Sequence, residues 1–335
     1  MDPKNPASFN HRTKKLSTGR TYHFVDQLPD NYDHKRSPTL LCVHGFPDFW
    51  YGWRYQIGPW VRKGYRVVVP DMLGYGGTDK PEDPSEYSTK KLCADLTALL
   101  DLLGVRRAVL IGHDWGAFTV GRFALWHPDR ILALVMMSVP YTPPSRQYIP
   151  VEEVARLAPN LGYQADFANP TTTSELDTHL ERFLSITFRT PTANENYTSR
   201  GSLFKLLQVS EVPRGPSVLN DSEFNQYVDE MRRGGMNGPL NYYRTAKHRY
   251  EEEAHAGLPA DLPENLPVLF MWGTKDLTAT PFVIGKARKF IRKLQDIAFE
   301  GRGHWVLVEA KDEITDRVGS WLQGLTSRPN SKGKL

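Results

Sequence analysis

The sequence lacks the long apolar run that a membrane-spanning helix requires. Its longest mostly apolar stretch, among 335 residues, extends from Ile131 to Val139, about half of the ~20 residues that such a helix needs. This excludes an integral membrane protein. Cysteine is almost absent too, since Cys42 and Cys93 are the only two. Both lie in apolar stretches, and we interpret them as reduced core residues, which favours a cytosolic protein over a disulfide-bonded secreted one.

An excess of charge of one sign is also lacking. Lysine and arginine together number 42, and aspartate and glutamate 38, which gives a formal net charge of +4. The basic residues are scattered rather than clustered, so we expect no nucleic-acid partner. The first residues, Met1 to Asn5, lack the apolar segment of a secretory signal, and we expect a cytoplasmic location. Apolar residues make up 40% and charged residues 24%, which excludes low-complexity disorder.

Apolar strands and helices alternate over the first part of the chain. The predicted strands are residues 39–43, 66–70, 107–112 and 131–138, and the predicted helices are residues 90–103 and 115–126. Strands that are apolar throughout suit a parallel sheet covered on both faces. Their alternation with helices predicts βαβ units and an α/β fold. Residues 11–26, around Gly19, predict a short hairpin.

The strand pattern stops at residues 140–144, which include three prolines. As far as about Pro263 only helical windows follow, at residues 174–189 and 221–233. The pattern then returns with a strand at 266–272, a helix at 281–293, a strand at 296–299 and a helix at 311–323. One sheet interrupted by a helical insertion explains this order better than two tandem domains. The predicted division is a core of residues 1–139 and 266–325, an insertion of residues 140–265 and a flexible tail of residues 326–335.

The strongest chemical signal is the segment Gly112-His113-Asp114-Trp115-Gly116, between a predicted strand and a predicted helix. Glycines two residues before and after a polar residue are the pattern of a nucleophile elbow, usually built around serine. The carboxylate of Asp114 is ionised at neutral pH and needs no base to attack. It can form an alkyl ester with a saturated carbon, and water can then hydrolyse that ester, whereas serine would form a stable ether. The alternative is a helix N-cap, a role that aspartate favours.

A general base and an acid follow in order along the chain. His304 follows the last predicted strand and is the candidate base that activates water for ester hydrolysis. Asp276 follows the strand at 266–272 and is the candidate acid that orients His304, with Glu309 as the competing acid. The order nucleophile, acid, histidine is that of α/β-hydrolases.

A candidate oxyanion hole lies in the segment His44-Gly45-Phe46-Pro47, which follows the strand at 39–43. The backbone N–H groups of Phe46 and Trp115 are the expected donors to the oxyanion formed during ester hydrolysis. The alternative is a simple turn between a strand and a helix. The bond before Pro47 is one at which a cis peptide can occur.

These segments together resemble the epoxide hydrolases of the α/β-hydrolase fold. The resemblance is carried by residues 44–54, by Asp71 with residues 74–78, and by residues 112–116, 273–276 and 303–305. It spans most of the chain outside the insertion, and it implies a mostly parallel eight-stranded sheet with a helical lid formed by the insertion. The sequence departs from the family at Leu73, where arginine is frequent, and at Lys311, where proline is common.

The resemblance also implies two lid tyrosines that hold the epoxide oxygen and protonate it as the ring opens. Tyr163 matches the first position, and Tyr243 matches the second, with Tyr242 as the alternative register. The residues expected to contact the substrate are Phe46, Trp115 and Gln164. The implied partners are a small-molecule epoxide and water, with no membrane partner, and we expect a monomer or a homodimer.

Other activities stay open at this point. A haloalkane dehalogenase shares the aspartate nucleophile and the tryptophan after it, but such enzymes tend to have asparagine in place of Phe46 and lack the paired tyrosines. A non-catalytic binding protein would have lost at least one catalytic residue, and Asp114 disfavours a serine esterase. The sequence contains no metal-binding cluster and no phosphate-binding loop, so we expect neither a metal nor a cofactor.

Overall fold

Eight strands form one mixed sheet in the computed structural model, which describes residues 1–34, 36–190, 198–209 and 215–326. The strands are β1 (His11–Lys15), β2 (Thr21–Gln27), β3 (Thr39–Val43), β4 (Arg66–Pro70), β5 (Ala108–His113), β6 (Ile131–Met137), β7 (Val268–Gly273) and β8 (Leu294–Phe299). Their order across the sheet is β1-β2-β4-β3-β5-β6-β7-β8. The pairs β1–β2 and β2–β4 are antiparallel and the other pairs are parallel. The expected eight-stranded, mostly parallel sheet is thus confirmed.

Helices flank the sheet and form the connections between its parallel strands. The helices are α1 (Arg54–Arg62), α2 (Thr89–Leu102), α3 (Trp115–Trp126), α4 (Val151–Leu157), α5 (Tyr163–Ala168), α6 (Thr172–Thr178), α7 (Leu180–Thr187), α8 (Ser202–Gln208), α9 (Asp221–Gly234), α10 (Asn237–Arg244), α11 (Ala246–His255), α12 (Pro281–Ala287), α13 (Val306–Glu309) and α14 (Lys311–Thr326). Helix α3 packs on β5 and β6, α1 packs on β4, and α2 packs on α3.

The strands that are buried along their whole length are the ones that were easiest to predict from the sequence. Every residue of β3, β4 and β5 is buried, because helices cover the middle of the sheet. The edge strand β1 is mostly exposed and contains Lys14 and Lys15, and charged side chains at an edge discourage further strand pairing. The predicted hairpin is present as the antiparallel pair β1–β2, with Gly19 at φ 90° in the connection.

Two helix predictions differ from the structure. The window at 174–189 is two helices, α6 and α7, separated at His179, whose φ of −109° and ψ of 29° are not helical. The helix expected at 281–293 ends at Ala287, and a single 3-10 turn follows, because the chain must already extend by Leu294 to pair with β7. Composition alone did not reveal either change of direction.

Between β6 and β7 the described residues form helices α4 to α11 and no strand. These helices contact the loops that follow β3, β4 and β7. The Tyr242 hydroxyl donates to the Leu73 carbonyl (3.0 Å), and the Asn160 amide donates to the Leu277 carbonyl (2.9 Å). The inserted helices therefore lie over the carboxyl ends of the parallel strands, where α/β folds bind ligands. Within the described ranges, no helix is long and apolar enough to cross a membrane. Of the predicted tail, residues 327–335 lie outside the described residues.

The turn between β5 and α3 requires very close backbone approach. A Cβ atom on Gly116 would lie 2.0 Å from the Val43 carbonyl oxygen, and one on Gly112 would lie 2.4 Å from the Gly116 carbonyl. Real Cβ atoms do not make such contacts, so β3, β5 and α3 can meet at this distance only with glycine at both positions.

We therefore expect Gly116→Ala to lower the free energy of unfolding by about 1–3 kcal/mol, because the added methyl group must push α3 away from β3. Gly285→Ala is the matched control: its Cβ would meet no atom within 4 Å, and alanine in a helix is neutral or slightly stabilising. Urea unfolding monitored by tryptophan fluorescence measures both variants. Equal midpoints for the two would contradict the close approach at the elbow.

Candidate active site

Asp114 occupies a strained turn that directs its side chain out of the sheet. Its φ of 53° and ψ of −121° lie in a region that non-glycine residues rarely adopt. Its side chain makes no capping hydrogen bond to the second or third residue of α3, which argues against the alternative of an ordinary helix N-cap. The backbone of Gly45 lies against it, because a Cβ on Gly45 would be 2.5 Å from the Asp114 Cβ.

Two backbone N–H groups bind the Asp114 carboxylate. The Phe46 N–H donates to Oδ1 at 2.7 Å, and the Trp115 N–H also hydrogen-bonds this carboxylate. The Phe46–Pro47 peptide is cis. The donors expected for an oxyanion hole thus both bond the Asp114 carboxylate, one from the loop after β3 and one from the first residue of α3.

His304 lies between two carboxylates. Its Nδ1 is 2.9 Å from Asp276 Oδ2, and its Nε2 is 3.5 Å from Asp114 Oδ2. A carboxylate accepts and does not donate, so Nδ1 carries the hydrogen that bonds Asp276. Thr278 donates to the other oxygen of Asp276 through its N–H (2.8 Å) and its hydroxyl (2.7 Å). The three residues proposed from chain order are therefore neighbours in space.

The main chain around His304 is held by residues that the sequence gave no reason to select. His113 Nε2 and the Ser138 hydroxyl donate to the His304 carbonyl at 2.9 and 2.6 Å. Burial lowers the pKa of His113 to about 3, so its ring is a neutral donor. Only their positions at the ends of β5 and β6 could have indicated these residues.

Glu309, the competing acid, has a different place. Its carboxylate accepts the N–H groups of Gly303 (2.8 Å) and Trp305 (3.0 Å) and the hydroxyl of Thr190 (2.7 Å). It therefore holds the loop on both sides of His304, whereas the His304 ring donates its Nδ1 hydrogen bond to Asp276.

The buried charges set the pKa values of this group. Burial disfavours the imidazolium, but the charge of Asp276, the hydrogen bond to it and the charge of Asp114 outweigh burial and raise the pKa of His304 to about 9. Burial raises the pKa of Asp114 above its usual value, although His304 and the two N–H groups oppose this. At Asp276, burial is outweighed by His304 and Thr278, and the pKa is lowered. A protonated His304 thus compensates two carboxylates at neutral pH.

One cavity, with about 630 Å³ of empty space when its opening to solvent is included, joins these groups to the inserted helices. Among the residues that line it are Asp114, Asp276, His304, Phe46, Tyr163 and Tyr243. The rings of Tyr163 and Tyr243 lie 6.1 Å apart, and the ring of Phe46 lies 5.1 Å from Tyr243. Burial raises the pKa of Tyr243 well above 10, so its phenol keeps its proton at neutral pH. Sequence reasoning missed several other lining residues, among them Phe167, Phe183, Leu203 and Trp305.

Three of the candidate side chains do not line the cavity. Tyr242, the alternative to Tyr243, donates its hydroxyl to the Leu73 carbonyl. The Trp115 ring packs on Tyr243 and Phe118, with centroids 5.1 and 5.4 Å apart. Gln164 follows Tyr163 on α5, and successive helical side chains point about 100° apart. Substrate contact by Trp115 or Gln164 stays a prediction that this arrangement does not favour. Among the described residues, no three His, Cys, Asp or Glu side chains are grouped to hold a metal ion.

Comparisons with known proteins agree with this fold. A family model described as alpha/beta hydrolase fold matches residues 38–311. A solved structure of epoxide hydrolase A from Mycobacterium thermoresistibile superposes with a TM-score of 0.82 at 30% identity, covering 94% of this chain and 98% of that one. These matches define the class as the α/β-hydrolase fold.

Relatives with known names narrow the assignment from the α/β-hydrolase fold to one family. Epoxide hydrolase srdG of Neurospora crassa is 32% identical, over 96% of this chain and 98% of its own. Epoxide hydrolase A of Mycobacterium tuberculosis is 33% identical, over 87% and 92%. Bifunctional epoxide hydrolase 2 of Mus musculus is 30% identical over 99% of this chain, which spans 59% of the length of that relative. Within the α/β-hydrolase fold, this chain belongs to the epoxide hydrolase family, and the resemblance identified from its motifs is confirmed.

The raised pKa of His304 predicts how stability depends on pH. The value of about 9 in the folded protein exceeds the value of about 6.5 expected on unfolding. Folding therefore favours the protonated ring, and this stabilisation is complete below pH 6.5 and is lost as pH rises through 9. We expect urea midpoints of the wild type to fall over this range. In His304→Gln, which cannot titrate there, the fall should be shallower, and equal slopes in the two proteins would contradict the assignment.

Proposed function

We propose that this protein is an epoxide hydrolase that converts an epoxide and water into a vicinal diol through an alkyl ester on Asp114. One arrangement supports the proposal: a single cavity contains a carboxylate nucleophile, a histidine with its acid partner, and two phenols. The phenols of Tyr163 and Tyr243 are the groups that distinguish this chemistry, because an epoxide oxygen needs a proton when its ring opens.

In the first step, an Asp114 oxygen attacks an epoxide carbon and the bond from that carbon to the epoxide oxygen breaks. Tyr163 and Tyr243 hydrogen-bond the epoxide oxygen, and one of them gives it a proton. The product is a hydroxyalkyl ester of Asp114 together with a tyrosinate. Because the Asp114 carboxylate is already ionised, this step requires no general base.

In the second step, His304 takes a proton from water, and the resulting hydroxide attacks the carbonyl carbon of the ester. Esterification has removed the charge of Asp114, one of the charges that raise the pKa of His304, so the ring has first passed its resting proton to the tyrosinate and become a neutral base. The N–H groups of Phe46 and Trp115 stabilise the oxyanion. The ester then breaks, the remaining hydroxyl proton passes to the departing alkoxide, the diol leaves, and Asp114 is again a carboxylate beside a protonated His304.

We also propose that residues 140–265 act as a lid on a core formed by residues 1–139 and 266–325. The proposal is supported by the two phenols, which belong to inserted helices α5 and α10 whereas the nucleophile belongs to the core. A cytoplasmic location and a monomeric or homodimeric state stay predictions.

The dehalogenase alternative has less support. A halide leaving group needs N–H donors rather than a proton, and the Trp115 ring is turned towards Tyr243 and Phe118. Tyrosine phenols occupy the wall of the cavity instead.

The role of His304 predicts a trapped intermediate. His304→Gln should still allow attack by Asp114, but it should block hydrolysis, so an alkylated enzyme should accumulate after addition of racemic styrene oxide. Intact-mass spectrometry detects this adduct. Asp114→Ala is the control, and it should form neither adduct nor diol. An unmodified His304→Gln protein would remove His304 from the role of base.

The same preparation decides between the two leaving groups. Wild-type protein is offered styrene oxide, assayed for diol, and in parallel a primary haloalkane, assayed for halide. Diol without halide supports the proposal, and halide without diol would transfer the assignment to dehalogenase chemistry.

The two phenols give a further prediction, on the rate of alkylation. A positioned general acid contributes about 10²–10⁴-fold, so Tyr163→Phe and Tyr243→Phe should each slow single-turnover alkylation, and the double variant should nearly abolish it. Tyr242→Phe is the matched control, because its hydroxyl bonds Leu73 outside the cavity, and the alkylation rate should remain within about twofold. A double variant with the full rate would refute the role of the phenols.

A further inference from the structure

The wall of the cavity is mostly apolar, in contrast to the polar groups that the proposed reaction uses. Apart from the nucleophile, the His304–Asp276 pair and the two phenols, the wall is largely aromatic and aliphatic, with Phe167, Phe183 and Leu203 among its members. No lysine or arginine is among the described residues that line it. The wall therefore offers no cationic side chain to an anionic substituent of a substrate.

Several polar groups of the wall are already bonded within the protein. The Thr187 hydroxyl donates to the Phe183 carbonyl (2.9 Å), and the Thr278 hydroxyl donates to Asp276 (2.7 Å). The Trp305 indole N–H donates to the Thr187 carbonyl (2.7 Å). These donor hydrogens are not available to a ligand, so a polar substituent would lose its hydration without replacement by them.

Three phenylalanines form a corner beside the phenols. Phe167 lies one helical turn after Tyr163 on α5, so the two side chains share a face. The ring of Phe167 is 5.0 Å from Phe46 and 6.1 Å from Phe183, nearly perpendicular to the latter at 88°. Phe46 and Phe183 lie 6.0 Å apart. We name Phe46, Phe167 and Phe183 the phenylalanine corner.

The corner adjoins the place where the epoxide oxygen would bind. Phe167 and Phe46 lie 5.0 and 5.1 Å from the ring of Tyr243. A substrate whose oxygen is held by Tyr163 and Tyr243 would thus direct a substituent of the epoxide carbon towards these rings, whose edges and faces suit a further aromatic ring.

We propose that the cavity selects epoxides with an uncharged, aryl-sized apolar substituent, and that Phe183 determines this specificity through the phenylalanine corner. This inference rests on the proposed function. Burial of an aromatic substituent is favourable here, whereas a hydroxyl or carboxylate in the same place is desolvated without compensation.

Three epoxides with the same saturated carbon next to the ring test the proposal. They are allylbenzene oxide, its para-carboxylate, and glycidol, which has a hydroxyl in place of the phenyl group. We expect kcat/KM for allylbenzene oxide to exceed that for each of the other two by at least about 100-fold. Equal values for glycidol or for the carboxylate would overturn the proposal.

Phe183→Leu tests the residue itself. The variant keeps an apolar side chain but removes the ring, so kcat/KM for allylbenzene oxide should fall about tenfold, mainly through KM, because contacts are lost in the ground state and the transition state alike. The value for glycidol should change by less than about twofold. Phe123→Leu is the control, because Phe123 is buried on α3 outside the cavity. It should leave the ratio of kcat/KM for allylbenzene oxide to kcat/KM for glycidol unchanged. If Phe183→Leu kept the wild-type ratio of kcat/KM for allylbenzene oxide to kcat/KM for glycidol, the proposed role of Phe183 would be overturned.

A binding measurement with the diol products shows whether the proposed specificity or the proposed reaction is wrong. The diol of allylbenzene oxide and glycerol are titrated against wild-type protein, with the thermal unfolding midpoint as the readout. If only the aromatic diol raises the unfolding midpoint, and if Phe183→Leu loses this effect, the proposed ligand class is supported. That conclusion holds even if no epoxide is turned over, because absence of turnover would overturn only the proposed reaction. Diol formation from glycidol as efficiently as from allylbenzene oxide would overturn only the specificity.

Discussion

The candidate site depends on one positive charge, that of the protonated His304 ring between the carboxylates of Asp114 and Asp276. Two buried carboxylates would repel one another and lose their hydration, so a cation between them is required for both to stay ionised. The fold fixes that cation at its backbone as well as at its ring, because His113, Ser138 and Glu309 bond the main chain around it. In the proposed mechanism, esterification of Asp114 removes one of the two negative charges beside His304, and the same histidine changes from counter-ion to base.

Attachment of the inserted helices is the second constraint. The segment after the oxyanion loop supplies Arg54, whose fully buried guanidinium lies 2.8 Å from Glu223 on α9. Asp48 of the same segment accepts the hydroxyl of Tyr227, also on α9, at 2.8 Å. Helix α9 packs on α7, which contributes Phe183 and Thr187 to the cavity. The motif at residues 44–54 thus links the Phe46 N–H, which bonds Asp114, to the wall of the cavity.

Sequence patterns predicted the core well because each core strand carries its own signal. The residues of β3, β4 and β5 are apolar apart from a polar residue at one end of each strand, and the strand predictions agree with the structure to within two residues. The inserted helices were harder to predict: α6 and α7 share one continuous pattern, and α5 has only six residues. Short helices are stabilised by packing rather than by propensity, so their limits are not set locally.

Local residue patterns were enough to predict the α/β fold, the elbow around Asp114 and the order of Asp114, Asp276 and His304, because each motif consists of neighbouring residues. Only the tertiary structure decided between Asp276 and Glu309 beside His304, and between Tyr243 and Tyr242 in the cavity. The lining of the cavity includes Phe167 and Phe183, and it does not include Trp115 or Gln164. The physical reason is the same in each case: the direction of a side chain depends on packing between elements that are distant in the chain.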